Sequence, residues 1–253
     1  MPKTIYHNDQ LPIPKAWNEL SAQQLLGVAE ILPSADSRVN KIKRLCALLH
    51  NGKPKQQLVI DWEDAQAITQ FLFEGIDLTV NKLPKLGNWY GPADRLKHSS
   101  FAEFISADTT CMKYIETQEP ADLDKLVAIL YRKKRINVRP DAPDFNGDLR
   151  EAFNSHTVEL RMKQLKRMDV AKKMAVLFFF AGCKGHFAKF FPYVFKKGGA
   201  SNSNTTWMHA LHQFTDNITQ YEPVLDLKAN MVLFDLNESQ KDAIALRQKL
   251  EAK

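Results

Sequence analysis

Two pairs of side chains in this sequence have types and spacings that could support chemistry. His209 and His212 lie three residues apart and could share a helix face as metal ligands, but no well-placed carboxylate completes the set and no HExxH motif occurs. Cys183 and His186 could act as nucleophile and base, although closeness in sequence does not establish that geometry. A cysteine beside an apolar helix usually behaves as a small hydrophobe. The sequence therefore predicts neither a metal site nor a covalent nucleophile.

Two further patterns resemble known motifs without matching them. Residues 182–185 are glycine-rich, but they lack the GxxxxGK[ST] pattern of a phosphate loop and follow a helix, so a helix stop at Gly182 explains them better. Asp122 and Asp124 stand at the start of a predicted helix, where carboxylates more often interact with the helix dipole than act as acid and base. We predict a protein that is not an enzyme and has no cofactor. An enzyme with dispersed site residues stays an open alternative, for which the sequence nominates no residue.

The densest signal in the chain is a basic, aromatic-rich segment. Residues 150–197 hold eight of the fifteen Phe and eleven Lys or Arg against three acids, a net charge of 11 − 3 = +8 in a chain whose total is +6. Because cations displace counterions from phosphates and aromatic rings stack on bases, nucleic acid is one candidate partner. A solvated charged face is the simpler alternative. The cations that could form a partner-binding or nucleic-acid-binding surface are Arg132, Lys133, Lys134, Arg135, Lys163, Lys166, Arg167, Lys184, Lys189, Lys196 and Lys197.

The phenylalanines of this segment favour a core instead of a stacking platform. Phe187, Phe190, Phe191 and Phe195 recur at helical spacing, which ordinarily marks a buried face. Pro192 lies among them and predicts a kink or a new start. We therefore expect the rings inside the protein and only the lysines and arginines in contact with a partner.

Helical periods dominate the chain and predict a mainly α, multi-helix globular protein with at most a small β-ribbon. Ser21 is expected to cap an early helix, and Ser100 with Glu103 has the spacing of a capping box. The runs 58–60 and 78–80 are β-type and could pair as the ribbon.

The later elements and the domain organisation follow from the same signals. Asp61 and Asp169 are expected to cap helices, and Pro120 to begin one. The last predicted helices span about 225–236 and 238–251. A turn-rich stretch separates an N-terminal helical lobe, 1–140, from a C-terminal helical lobe, 141–253, that contains the Phe-rich basic segment. One continuous domain is the alternative.

Cysteine usage and hydropathy indicate the compartment. The three cysteines are isolated from one another, which predicts free thiols and a reducing cytoplasm. Residues 1–9 lack the basic start and apolar core of a secretory signal. The strong apolar run 174–183 is ten residues long, about half of what a membrane-spanning helix requires, so it is predicted to be a core helix and no membrane partner is expected.

Three blocks of sequence resemble helical proteins encoded by tailed phages and prophages, a group that includes tail assembly chaperones and neighbouring structural proteins. In residues 14–25, Trp17 precedes a capped helix start at Ser21, like the common opening of these proteins. Residues 104–131 resemble the helix pair that follows, and residues 207–234 resemble a C-terminal element. The central loop and the Phe-rich segment depart from the shorter members.

This resemblance implies a non-enzymatic role in virion assembly. The expected partners are phage tail or other virion proteins, and the expected location is the bacterial host cytoplasm or the virion. Tail assembly chaperone and virion structural component are both open. The alternative is a nucleic-acid-binding protein of a mobile element that uses the basic surface.

Overall fold

The computed structural model describes residues 13–51, 61–136, 139, 141, 145–195, 207, 211–212 and 221–251. Its fold is mainly α with one two-stranded antiparallel ribbon, as the sequence predicts. The α-helices of the described part are α1 Ala22–Ile31, α2 Arg38–Asn51, α3 Trp62–Thr69, α4 Phe71–Glu74, α5 Phe101–Thr117, α6 Pro120–Leu130, α7 Val158–Leu165, α8 Val170–Phe190, α9 Tyr221–Asp226 and α10 Ala229–Glu251. Short 3-10 helices span Trp17–Glu19, Asp94–Leu96 and Ser155–Thr157.

Local capping sets several helix starts. The Ser21 hydroxyl accepts from the Gln24 amide at 3.1 Å, and the Gln24 side chain accepts from the Ser21 amide at 2.9 Å, a complete capping box. Pro120 stands at the first turn of α6, and the Asp169 carboxylate accepts from the Ala171 amide at 2.7 Å. Asp61 is the N-cap residue of α3, as predicted, but its side chain makes no capping hydrogen bond.

A single cluster of buried apolar side chains contains residues from both halves of the sequence, from Trp17 to Leu236. Helix α8 lies at its centre and packs against α1, α5 and α6. The residues of the predicted core run 174–183 are buried there, apart from the half-buried Ala181. Edge-to-face aromatic pairs connect α8 to other segments of the core. The ring centroids of Trp17 and Phe178 lie 5.4 Å apart, and those of Phe104 and Phe187 lie 5.5 Å apart. The predicted boundary between two lobes near residue 140 stays a prediction.

Glycine does not stop α8 as predicted, because the helix continues through Gly182 to Phe190. A Cβ atom at Gly182 would lie 2.2 Å from the carbonyl oxygen of Leu78. The absence of a side chain at Gly182 therefore allows α8 to lie directly against the backbone of Leu78.

The ribbon forms from other residues than the sequence predicts. Its strands are β1 Lys85–Leu86 and β2 Trp89–Tyr90. Residues 58–60 lie outside the described part, and 78–80 form no strand because the Asn18 side chain meets their backbone. Its Oδ1 accepts from the amides of Thr79 at 2.8 Å and Val80 at 3.0 Å.

Two further predictions about the C-terminal half are corrected. Phe187 is buried and Phe191 and Phe195 are half-buried, but Phe190 is 66% exposed. Its ring lies tilted against that of His186, with 4.6 Å between the ring centroids. Helix α8 ends at Phe190, so the apolar period is not carried past it. Two helices are predicted over 225–236 and 238–251, but the structure has the short α9 followed by one continuous α10. Helix α10 continues through the predicted break because no proline or glycine occurs within it.

Replacement of Gly182 by alanine is expected to destabilise the protein. The added methyl group would collide with the Leu78 backbone, which cannot move aside as a flexible side chain could. Overpacking of this kind lowers the free energy of unfolding by about 1–3 kcal/mol. Gly185→Ala is the matched control on the same helix: its Cβ would meet only the Ile76 carbonyl oxygen, at 3.8 Å. Because alanine favours helix over glycine, Gly185→Ala should be neutral or stabilising. Urea unfolding of both variants checks the pair, and equal stabilities would contradict the packing role of Gly182.

Candidate functional site: a buried arginine and carboxylate cluster beside a cleft

The site begins at the first turn of α5. The Ser100 hydroxyl accepts from the Glu103 amide at 3.2 Å and caps the helix as predicted. The reciprocal half of the predicted capping box is absent, because the Glu103 side chain bonds instead to two guanidinium groups. Glu103 is only 1% exposed, so this is a carboxylate placed inside the protein, where an ion requires partners.

Arg150 supplies the main partner. Its Nη1 and Nη2 donate to the two oxygens of Glu103 at 2.7 and 3.2 Å. Its Nε and Nη2 also donate to the two oxygens of Asp148, at 2.9 and 2.8 Å. One guanidinium therefore makes paired hydrogen bonds with two carboxylates, the geometry in which arginine binds an acid most strongly.

Arg132 completes the set. Its Nη2 donates to Glu103 at 3.1 Å and to Asp148 at 3.4 Å. Glu103, Arg132 and Arg150 are buried and Asp148 is half-buried; two arginines and two acids give a net charge of zero, which makes this burial tolerable. We call Glu103, Arg132, Asp148 and Arg150 the Arg–acid cluster.

Arginines also bond to the C-terminal end of α6. The carbonyl oxygen of Leu130 accepts from Arg150 at 2.6 Å, that of Ile129 from Arg132 at 3.4 Å, and that of Ala128 from Arg161 at 2.8 Å. The last carbonyls of a helix have no partner within the helix, and the helix dipole favours cations there. The cluster thus joins the start of α5 to the end of α6.

Burial and pairing act in opposite directions on the ionisation of the cluster. Burial raises the pKa of Asp148, but hydrogen bonds and charge from Arg150 outweigh it and hold that pKa below its ordinary value. Burial lowers the pKa of Arg150, yet Glu103 and Asp148 raise it by more. Burial lowers the pKa of Arg132; the negative charge of Glu103 acts in the opposite direction but does not cancel this effect. Both guanidinium groups remain charged, since arginine does not lose its proton in proteins.

A cleft of about 440 Å³ opens beside the cluster. Four chain segments bound it: the start of α5, the chain after α6, the chain around Arg150, and the start of α10. Its lining residues are His98, Ser100, Glu103, Arg132, Arg135, Asn146, Asp148, Arg150, Ala152, Phe153, Asp226, Leu227, Lys228 and Met231. A volume of this size is typical of small-molecule sites.

The predicted basic surface is divided by the structure. Arg132 is 2% exposed and belongs to the Arg–acid cluster, so its placement on the surface is wrong: Glu103 and Asp148 hold it inside. Arg135 is half-buried and donates to Asn146 and to the backbone oxygen of Asp148.

The other predicted cations fall into three groups. Lys184 is half-buried and pairs with Asp108 at 2.5 Å, which also accepts from the Trp207 indole at 3.1 Å. Lys196 and Lys197 lie outside the described residues. The exposed cations are Lys133, Lys134, Lys163, Lys166, Arg167 and Lys189. Lys133 lies 4.2 Å from the centroid of the Trp89 ring.

The histidine and cysteine candidates have structural surroundings. His209 lies outside the described part, and the Nδ1 of His212 lies 2.5 Å from the Tyr221 hydroxyl. All three cysteines are free, as predicted, and buried. Burial raises the pKa of the Cys183 thiol, which holds it in its protonated, less nucleophilic form.

The two predicted acids near the start of α6 are both paired with lysines. Asp122 accepts from Lys113 at 2.9 Å, and Asp124 lies 2.5 Å from the Lys173 ammonium. These pairs join α6 to α5 and α8.

Sequence reasoning does not identify Glu103 or Asp148 as members of a site. It assigns Glu103 to helix capping, and the signal that could have revealed the residue is its position among apolar residues of α5, next to Phe104 and close to Phe101 and Ala107. An acid on an apolar helix face implies a buried cation elsewhere in the chain.

Substitution of Glu103 by glutamine should destabilise the protein by roughly 3–5 kcal/mol, because it leaves two buried guanidinium groups with one carboxylate. The change preserves side-chain size, so no cavity confuses the result. Glu116→Gln, at an exposed position on the same helix, should have no measurable effect. Urea unfolding measures both, and an effect at position 103 as small as that at 116 would show that the cluster does not stabilise the fold.

General signatures of function are few in the described part of the chain. No three or more histidine, cysteine, aspartate or glutamate side chains come together there as a potential metal site. Among the same residues, no helix combines the length and apolar character needed to span a membrane. Comparison with protein-family models, with curated proteins and with solved structures gives no match for this chain.

Proposed function

We propose that this protein is a non-enzymatic assembly protein of a phage or prophage, acting through protein–protein contacts as a tail assembly chaperone or virion component. The resemblance of residues 14–25, 104–131 and 207–234 to such proteins motivates the proposal. Its structural support is the end of α10, an exposed helix with an apolar stripe.

The apolar stripe of α10 begins in the core and continues onto the exposed part of the helix. Ala229 and Leu236 are buried, and their seven-residue spacing continues at Ala243 and Leu250. From 241 to 251 every residue is exposed. Leu246 and Leu250 are 60% and 65% exposed, four residues apart, on the face that is buried earlier in the helix.

An exposed apolar stripe on a preformed helix suits one mode of recognition, in which an amphipathic helix binds an apolar groove or another helix. Since α10 is already anchored to the core through Val232 and Leu233, binding would not require the helix to fold. We call residues 241–251 the docking helix and propose a helical segment of a tail protein as its partner.

Co-expression with the tail and tape-measure genes adjacent to its own gene tests this function. The unaltered chain should co-purify with one of these proteins, and Leu246→Asp/Leu250→Asp should abolish the complex. Ala245→Asp/Gln248→Asp places the same charges on the opposite face of the docking helix and should retain it. All four side chains are exposed, so melting temperatures should be unchanged. Absence of any complex, or equal retention by both variants, would refute the proposal.

A nucleic-acid-binding protein of a mobile element is the second candidate. Lys163, Lys166 and Arg167 are exposed on or next to α7, and none of them forms an ion pair within the described part of the chain. If they neutralise phosphates of duplex DNA, replacing all three by glutamine should reduce the slope of log K against log salt by roughly 0.9 for each phosphate that is no longer neutralised. Fluorescence anisotropy with a labelled duplex measures the slope, and absence of binding at low salt would eliminate this candidate.

A further inference from the structure

The cleft beside the Arg–acid cluster has walls held by backbone hydrogen bonds. The Phe101 amide donates to the Leu227 carbonyl at 2.8 Å, and the Ala229 amide donates to the Ser99 carbonyl at 2.9 Å. On the other side, the Arg135 amide donates to the Leu149 carbonyl at 2.9 Å. The cavity is therefore formed in advance, without rearrangement of these segments.

The charges that line the cleft have a positive excess. The lining contains three arginines and one lysine, four cations in all, and three acids. Its net charge is therefore 4 − 3 = +1 when His98 is neutral. The Arg–acid cluster accounts for two charges of each sign and is balanced. Arg135 and Lys228 remain, against an exposed Asp226, and neither cation forms an ion pair in the described part of the protein. Both cations are thus without a close acid, and one positive charge is in excess for an external anion.

Three buried nitrogen atoms at the cleft have no hydrogen-bond partner among the described residues: Nδ1 of His98, Nε of Arg132 and Nε of Arg135. Buried polar atoms are satisfied in most proteins, so these three leave the wall of the cleft short of hydrogen-bond partners. The pKa of His98 is lowered by burial and then by the charges of Lys228 and Lys97, against a smaller opposing effect of Asp148. The histidine therefore experiences a positive potential.

Apolar groups form the rest of the lining. Phe153 is half-buried. Leu227 and Met231, at the start of α10, are exposed and line the same cleft. A hydrated inorganic anion would leave these surfaces uncovered, whereas a ligand with an apolar group would cover them.

We propose that this cleft binds a small organic anion, a carboxylate or phosphate ester joined to an apolar group. Arg135 and Lys228 hold the charged group at the edge of the Arg–acid cluster. Phe153 and Met231 contact the apolar group. The site lies apart from the docking helix, and the proposal does not depend on the assembly function.

Isothermal titration with phenyl phosphate, benzoate, inorganic phosphate and benzyl alcohol tests the proposal on the full chain. At least one aromatic anion should bind saturably and more tightly than the alcohol or inorganic phosphate. The tighter of the two aromatic anions identifies the charged group. Anion binding should also raise the pKa of His98, followed by the NMR shifts of its ring against pH, because a negative charge favours the imidazolium.

Two variants locate the site. Arg135→Gln and Lys228→Gln should each weaken binding by about tenfold, a common effect of losing a charged hydrogen bond. Lys43→Gln, which removes an exposed lysine from α2, should leave affinity unchanged. Lys228→Gln keeps the test interpretable if the Arg135 variant is unstable. Absence of saturable binding at millimolar concentrations, equal binding of benzyl alcohol, or unchanged affinity in both cleft variants would overturn the proposal.

Discussion

The burial of Glu103 is the constraint on which much of this structure depends. A carboxylate without solvent requires compensating cations, and here they come from Arg132, at the end of α6, and Arg150, farther along the chain. Asp148 then balances the second guanidinium. Because hydrogen-bonded ions in a protein interior tolerate little displacement, the ends of two helices and a loop segment are fixed relative to one another.

The same arrangement explains why the cleft keeps a positive character beside four ions of zero net charge. Each acid is directed at the arginines of the cluster, so Arg135 and Lys228 on its rim are not neutralised by it. Structural pairing and ligand recognition therefore use different cations of one region. The docking helix, in contrast, contributes no residue to the lining of the cleft.

Local signals in the sequence are sufficient for the fold class and for several helix starts. Ser21 and Asp169 accept hydrogen bonds from amides two or three residues ahead, and Pro120 stands in the first turn, where no amide donor is required. These roles are local and therefore readable from sequence. The prediction for Gly182 is wrong because its role depends on backbone at Leu78, about a hundred residues away. The prediction for Arg132 is wrong for the same reason. An arginine is expected at the surface, and this one is buried only because the distant Glu103 and Asp148 pair with it. The cleft could not be predicted, because it requires four separated segments to meet.

The arginines at the end of α6 have a consequence for the order in which the chain folds. Arg150 reaches Glu103 across 47 residues, and Arg161 reaches the Ala128 carbonyl across 33. Helices α5 and α6 are neighbours in sequence and would otherwise form an early local unit. Until residues 148–161 arrive, however, Glu103 has only Arg132 as a partner, and the carbonyls of Leu130 and Ala128 lack the arginines that they bond in the folded protein. Full stabilisation of this helix pair therefore depends on non-local contacts, and contacts of that kind are expected to make folding slower than the helical content alone implies.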